Sequence, residues 1–198
     1  ECLDNGYLGS CRLSIHDVRP IANMPMKSDC KRYTFVFNGE IYNYKHLRKN
    51  FLSEFTFKTN SDTEVVLKTF IKYGTKCFDK LEGMFAIAIW DNLTKKLFLA
   101  RDRLGKKPLH YYLEENIFYF CSESKPLKKV VTQKSILNNK FLQEIILFGE
   151  QSNTETINSK IFKIVPNTFS IVSLSKSKIK TESHSYSSIF QLQNKKNI

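Results

Sequence analysis

The amino-acid sequence predicts one α+β domain in which antiparallel sheets pack together as a sandwich. Two hairpins of apolar strands follow each other in the middle of the chain, and segments with helical periodicity lie before and after them. Strands grouped in hairpins, with helices between the groups, are typical of α+β folds rather than of alternating parallel folds. With 198 residues, of which 41% are hydrophobic, the chain is long enough to bury one substantial core.

The first strand and the first helix are predicted between positions 33 and 51. Residues 33–37 read Tyr-Thr-Phe-Val-Phe, a run of aromatic and β-branched residues that is typical of a buried strand. The strand is expected to stop at Asn38-Gly39-Glu40, and residues 43–51 have the pattern of a short helix. An Asn-Gly pair usually reverses the chain into a second apolar strand. None follows here, so an ordinary hairpin turn does not explain this pair.

A longer helix is predicted to begin at residues 61–64, Ser-Asp-Thr-Glu, which match a capping box. In that motif the Ser61 side chain accepts a hydrogen bond from the Glu64 amide, while the glutamate side chain reaches back to Ser61. Apolar residues at helical spacing continue to position 71, and Gly74 is a typical helix end.

Two consecutive hairpins are predicted in the centre of the chain, where apolar runs alternate with turn residues. Their four strands are residues 84–90, 96–100, 109–113 and 117–121. The loop between the hairpins, residues 101–108, is highly charged. We interpret Arg101, Asp102 and Arg103 in this loop as a structural ion network that holds the hairpins.

The last third of the chain has a weaker pattern. Helices are predicted near residues 123–130 and 138–148, and strands near 161–164 and 168–174. Residues 176–198 are polar and rich in Ser, Lys and Asn, as in a linker or a frayed end. We therefore predict a domain over residues 1–175 followed by a polar linker.

The charge balance is strongly basic but does not by itself indicate a nucleic-acid-binding protein. Lys and Arg number 31 against 19 acids, a formal net charge of +12. Most of these cations are lysines spread along the chain, whereas specific readers of nucleic acid concentrate arginines on one face. We expect no nucleic-acid partner, and the nucleic-acid-binding class is kept as a remote alternative.

Cysteines, histidines and hydropathy limit the class of protein further. The five cysteines are scattered without a C-x-x-C pair, and the four histidines lack the spacing of metal ligands, so no metal site is expected. An odd, dispersed set of cysteines suits a reducing compartment. No apolar run is long enough to span a bilayer, and no signal peptide is recognisable. These observations predict a cytoplasmic protein without a membrane partner.

Five motifs together resemble one family. They are Arg12-Leu13-Ser14-Ile15, Phe37-Asn38-Gly39-Glu40-Ile41-Tyr42-Asn43, Ser61-Asp62-Thr63-Glu64, Gly83-Met84-Phe85-Ala86 and Ala100-Arg101-Asp102-Arg103-Leu104-Gly105. Their order and spacing, over about residues 9–128, closely resemble the glutaminase domain of bacterial glutamine-hydrolysing asparagine synthetases. That domain is a class II glutamine amidotransferase. The resemblance implies the N-terminal-nucleophile hydrolase fold, a four-layer αββα sandwich of antiparallel sheets, here incomplete at its N-terminus.

The resemblance implies a role for the Asn-Gly pair. In this family an N-terminal cysteine attacks the side-chain amide of glutamine, and its own α-amine serves as the base. The tetrahedral intermediate carries a negative oxygen, which the Asn38 side-chain amide and the Gly39 N–H would stabilise as an oxyanion hole. A glycine there lets the backbone approach the substrate closely.

The resemblance also implies which residues bind L-glutamine as a free amino acid. Arg12 matches the arginine that binds the α-carboxylate through two parallel hydrogen bonds. Glu40 and Asp62 match the acids around the α-ammonium group. The remaining pocket residues would be Leu13, Ser14, Ile15 and His16.

The sequence departs from the family at both ends. The N-terminal Cys-Gly-Ile and the following Arg-Gly-Pro segment have no counterpart here, and Cys2 and Cys11 do not occupy the nucleophile position. By the spacing to Arg12, some tens of residues would precede Glu1. We therefore expect a glutamine pocket without its nucleophile, and no glutaminase activity from the chain as given.

At the C-terminal side, the ATP-dependent synthetase domain with its Ser-Gly-Gly-x-Asp loop is absent from this sequence. No cofactor is expected in the glutaminase domain itself, whereas ATP and Mg²⁺ would belong to the synthetase domain, acting in cis or in trans. A homodimer is left open.

Two explanations compete for the missing segments. The chain is a piece of a full asparagine synthetase, which the absent initiator methionine favours, or it is a free-standing, non-catalytic remnant that acts as a binding or regulatory module. A related amidotransferase with another acceptor is a further alternative.

Overall fold

The computed structural model describes residues 1–4, 6–11, 17–131, 137–149, 154–174 and 178–187. The strands are β1 (Cys2–Leu3), β2 (Gly6–Tyr7), β3 (Met26–Lys27), β4 (Tyr33–Ile41), β5 (Gly83–Asp91), β6 (Lys96–Arg101), β7 (His110–Glu114), β8 (Ile117–Cys121), β9 (Phe162–Lys163), β10 (Thr168–Leu174) and β11 (Ile179–Ser185). The helices are α1 (Tyr44–Phe51), α2 (Asp62–Tyr73), α3 (Cys77–Lys80), α4 (Ser124–Val130) and α5 (Asn139–Phe148).

Two antiparallel sheets form the centre of the molecule. The larger has six strands in the order β11-β10-β6-β5-β4-β3, and the smaller has three in the order β8-β7-β9. Helices α1, α2 and α3 pack on the outer face of the larger sheet, and α4 packs on the outer face of the smaller one. The layers are therefore αββα, which confirms the predicted α+β class.

The alternation of side chains along the central strands produces these layers. In β4, Phe35 and Phe37 are buried against the helices, whereas Val36 between them faces the smaller sheet. In β5, Phe85 faces the helices and Ala86 faces the smaller sheet. Because successive side chains of a strand point to opposite faces, a strand covered on both sides must be apolar throughout. This explains the nearly continuous apolar run that predicted β5.

Strand β4 is longer than predicted. It continues through Asn38-Gly39-Glu40 to Ile41, paired over its whole length with β5. A Cβ on Gly39 would lie 2.1 Å from the Met84 carbonyl oxygen, and one on Gly83 would lie 2.1 Å from the Glu40 oxygen. The two glycines therefore allow the strands to stay paired at a crossing too close for side chains. The expected stop was wrong because the Asn-Gly pair serves this close approach instead of a turn.

Helix α2 begins where the sequence predicts, but its cap is closed differently. The Ser61 side chain accepts from the Thr63 N–H at 3.1 Å. The Glu64 carboxylate does not return to Ser61 but accepts from the backbone N–H groups of Lys58 and Thr59, the shortest of these contacts being 2.7 Å. Glu64 thus ties the incoming loop to the helix. Gly74 ends the helix as predicted.

The polar stretch after position 175 contains a strand where a linker was expected. Strand β11 pairs with β10 over seven residues, and Tyr186 then donates its hydroxyl to the Arg101 carbonyl at 2.8 Å. Burial raises the pKa of this tyrosine. An exposed edge strand needs no apolar residues, which explains why its composition resembled that of a linker. The position of the domain boundary stays a prediction.

Candidate functional site

The candidate site lies at the C-terminal half of β4, where this strand has an open edge. The Tyr42 N–H donates to the carbonyl of Glu82, directly before β5, at 2.7 Å. The even-numbered residues of β4 therefore direct their backbone N–H and C=O groups towards β5. Odd-numbered residues face the opposite edge, where β3 covers β4 only as far as Phe35. Beyond that point the edge of β4 carries no strand among the described residues.

Three N–H groups point at this open edge. The Phe37 N–H donates to the Met24 sulfur at 3.2 Å, and the Ile41 N–H donates to the Asp62 carboxylate at 3.0 Å. The Gly39 N–H lies between them, and no described residue supplies an acceptor for it. One backbone donor is thus left available between two that are occupied.

Asn38, the preceding residue, supplies a second donor. Its side chain is exposed on the face of β4 that is turned towards the smaller sheet, and its Nδ2 donates to the Ser122 Oγ at 3.3 Å. An amide nitrogen has two N–H bonds, so one remains after this contact. Two adjacent N–H donors on a rigid strand are a suitable arrangement for a developing negative oxygen.

The two predicted acids occupy different environments. Glu40 is half-buried on the same face of β4 as Asn38, two residues further along. Asp62, at the start of α2, is only 4% exposed and accepts from the Ile41 N–H and from the Ser61 hydroxyl, the latter at 3.3 Å. A carboxylate has about four acceptor positions, so two bonds leave room for another partner. Asp62 therefore lies at the open edge that carries the Gly39 N–H.

The predicted carboxylate ligand Arg12 and the pocket residues Leu13, Ser14, Ile15 and His16 lie outside the described residues. Asp17, which follows them, accepts from the Asn60 N–H at 2.8 Å and is paired with Arg19, whose hydrogen bond lowers the pKa of this carboxyl. The chain after the pocket segment is thereby held two residues from Asp62.

Cys2 lies away from the donor pair. Its neighbour Glu1 forms an ion pair with Lys27 at 2.7 Å, and Lys27 is paired with Thr34 of β4. Thr34 and Asn38 are four residues apart along an extended strand, a distance of about 14 Å. The structure therefore places Cys2 near the end of β4 opposite to Asn38. That Cys2 does not replace the family's nucleophile stays a prediction.

The charged loop after β6 is internally satisfied. Arg101 donates to the carbonyls of Gly105, Lys107 and Ile164 at 2.7–2.9 Å. Asp102, 1% exposed, accepts from four backbone N–H groups. Arg103 donates to the Leu81 and Asp79 carbonyls. The predicted structural role agrees with these contacts, although the partners are mostly backbone groups rather than opposite charges.

Sequence reasoning missed Ser122 as a residue of this site. It follows β8, 84 positions after Asn38, and only the packing of the two sheets brings the side chains together. A polar residue directly after an apolar strand was the one available signal. Among the described residues there is no cluster of three or more metal-ligating side chains, and no helix is long and apolar enough to cross a membrane.

Comparison with known proteins shows the family of this chain. The chain belongs to the glutamine amidotransferase domain family, whose model matches residues 2–186. It is 39% identical over 160 residues to asparagine synthetase [glutamine-hydrolyzing] 1 of Bacillus subtilis, covering 80% of this chain and 25% of that protein. It is 39% identical over 128 residues to asparagine synthetase B [glutamine-hydrolyzing] of Escherichia coli, covering 64% and 23%. The chain thus spans about a quarter of the length of these relatives.

Solved structures support the fold. The glutamine phosphoribosylpyrophosphate amidotransferase of B. subtilis superposes with a TM-score of 0.55 at 18% identity, covering 83% of this chain and 32% of that chain. The allosteric regulatory enzyme of purine biosynthesis gives 0.56 at 18% identity, covering 78% and 28%. At this level of identity the likeness concerns the architecture. It confirms the predicted fold, the αββα sandwich of the N-terminal-nucleophile hydrolase type.

Proposed function

We propose that this chain is the glutaminase domain of a glutamine-dependent asparagine synthetase and that it binds free L-glutamine at the open edge of β4. The observation that carries the proposal is the adjacent pair of donors, the Asn38 amide and the Gly39 N–H. The similarity to glutamine-hydrolysing asparagine synthetases supports the choice of substrate.

The donor pair would act on the amide group of glutamine. When a nucleophile adds to that carbonyl carbon, the oxygen gains negative charge, and the two N–H groups stabilise this charge more strongly than the neutral carbonyl. Because both donors belong to a strand that is paired along its length, little reorganisation is needed as the charge develops.

The charged ends of the amino acid would be recognised separately from its amide. Arg12 would bind the α-carboxylate, and Glu40 and Asp62 would lie around the α-ammonium group. Leu13, Ser14, Ile15 and His16 would complete the pocket. Two charged contacts distinguish free glutamine from a glutamine side chain within a protein, which has neither terminal charge.

The proposal assigns no nucleophile to the cysteines of this sequence. Cys2 lies towards the other end of β4, and Cys77 is fully buried, which raises the pKa of its thiol. We therefore expect the 198-residue chain alone to bind glutamine without releasing ammonia. A chain extended by the family's N-terminal segment, beginning with cysteine, should release glutamate.

The proposal extends to a whole protein in which ammonia from this domain amidates aspartate. ATP and Mg²⁺ would act in a synthetase domain, joined in cis or associated in trans, and the assembly could include a homodimer in the cytoplasm. Related enzymes use such a domain with other acceptors. An assay of the whole protein for asparagine formation from aspartate, ATP and glutamine tests whether aspartate is the acceptor.

An NMR titration with L-glutamine tests the binding site directly. Millimolar L-glutamine should shift the signals of Arg12, Asn38 and Asp62 in the folded chain, and Asp62→Asn should weaken this response. Asparagine keeps an oxygen that can accept from the Ile41 N–H, so the variant should stay folded. Asp29→Asn, which changes an exposed acid, is the matched control.

No response to glutamine in a demonstrably folded chain would refute the site. Retention on DNA that falls steeply with salt, without any glutamine response, would instead favour the nucleic-acid-binding class.

A further inference from the structure

We propose that Ser122 is a positioning residue that orients the Asn38 amide towards the substrate oxygen. The inference rests on the proposed function and deepens it. Asn38 belongs to the larger sheet and Ser122 follows the last strand of the β7–β8 hairpin in the smaller sheet, so their 3.3 Å hydrogen bond crosses the sandwich. The bond joins the two layers at the end of β4 that carries the open Gly39 N–H.

Ser122 is itself held in place by the hairpin. The His110 Nδ1 lies 3.0 Å from the Ser122 carbonyl oxygen. Burial lowers the pKa of His110, which favours the neutral ring. A carbonyl oxygen only accepts hydrogen bonds, so Nδ1 must carry the proton in this contact. Residue 122 is therefore fixed through its backbone, and its side chain presents a fixed oxygen to Asn38.

The hydrogen bond has a direct consequence for the amide orientation. The outer torsion of an asparagine side chain is broad, and an unrestrained amide can turn its oxygen to where its nitrogen was. That oxygen would repel a developing oxyanion. With Ser122 Oγ accepting one N–H, the second N–H of the same nitrogen keeps a defined direction.

The expected effect is moderate, because the contact is exposed and both partners are neutral. Hydrogen bonds of this kind contribute about 0.5–1.5 kcal/mol, which corresponds to a roughly 2- to 13-fold change in an equilibrium. A bond that only joined the sheets would change the unfolding equilibrium and leave the glutamine concentration at half-saturation of the folded chain unchanged.

The test measures side-chain amide relaxation of Asn38 by NMR in the 198-residue chain without ligand. Ser122→Ala should lower the order parameter of this amide, and Ser122→Thr, which keeps a hydroxyl, should restore it. Ser183→Ala is the matched control, since it removes another serine hydroxyl bond between neighbouring chain segments, the one to Ser170 at 2.7 Å. An Asn38 order parameter that is unchanged in Ser122→Ala, or lowered equally in Ser183→Ala, would overturn the proposal.

A second measurement separates this inference from the proposed function. In Ser122→Ala, half-saturation of the Asn38 amide shift should need roughly 2- to 13-fold more L-glutamine, with recovery in Ser122→Thr. If the unaltered chain shows no glutamine response, the proposed function fails, while the ligand-free relaxation data still decide whether Ser122 positions Asn38. If glutamine binds and neither Ser122 variant changes the response or the relaxation, the positioning role alone is refuted.

Discussion

The charged loop after β6 and the open edge of β4 are both polar segments within an apolar chain, yet the structure uses them in opposite ways. In the loop, the side chains of Arg101 and Asp102 are buried and form hydrogen bonds with backbone groups around them. At the edge, Asn38 is exposed and the Gly39 N–H faces a side that no strand of the described part of the chain covers. Charge density therefore does not indicate the candidate site in this molecule. The Gly39 N–H, for which no described residue supplies an acceptor, does.

The loop should be the more sensitive of the two to mutation in terms of stability. Asp102→Ala would leave the N–H groups that now donate to this carboxylate without this acceptor, including the buried N–H of Phe85 within β5. We expect a loss of about 3–5 kcal/mol in the free energy of unfolding, measured by urea denaturation. Lys106→Ala, which changes an exposed side chain in the same loop, should lie within about 0.5 kcal/mol of the parent chain. A loss below about 1 kcal/mol for Asp102→Ala would contradict the structural role of the loop.

The contribution of a second structural acid, Asp91, to the free energy of unfolding should depend on pH. Burial alone would raise the pKa of this carboxyl, but hydrogen bonds from Arg32, Thr94 and the Leu93 N–H lower it to about 2. The unfolded value is about 3.9, so the stabilisation is present above pH ~4 and is lost as the pH falls towards 2. It corresponds to roughly 2–3 kcal/mol. The unfolding free energies of the parent chain and Asp91→Asn should differ by at least that amount at pH 7 and converge in acid. A gap independent of pH would show that the carboxylate charge is not the cause.

The smallest effect on stability is expected at the edge of β4. Asn38→Ala removes one exposed hydrogen bond of 3.3 Å, so the unfolding free energy should change by less than about 1 kcal/mol. The same variant should still weaken the glutamine-dependent shift at Gly39, because the paired donor is gone. Asn50→Ala, which alters an exposed amide on α1, should affect neither quantity. Strong destabilisation by Asn38→Ala would show that the edge of β4 has a structural role like that of the loop, and it would contradict the contrast between the two regions.

Elements with a strong local pattern could be predicted from the sequence. The strands at Ile117–Cys121 and Thr168–Leu174 have the predicted bounds, and the start of α2 was recognised from its capping residues. Apolar alternation and helix caps depend on neighbours a few positions away, so one sequence carries them. The motif order likewise indicated the family and the residues of the Asn-Gly pair.

The features that the sequence did not predict share a physical cause, because they depend on residues that are distant in the chain. The polar strand Ile179–Ser185 exists because β10 offers it an edge to pair with. The continuation of β4 through Gly39 depends on the close approach of β5. The Glu64 carboxylate accepts hydrogen bonds from the loop that precedes α2, and not from Ser61.

The sequence by itself predicted the fold class and the family, because composition, periodicity and motif spacing are properties of a linear chain. It also indicated Asn38 and Gly39 as candidate oxyanion donors. Only the tertiary structure decided where those donors point. Among the described residues, no strand covers the Gly39 N–H because β3 ends early along β4, and the Asn38 amide contacts Ser122 from the other sheet. The direction of a donor depends on strand register and sheet packing, which join residues that are far apart in the sequence.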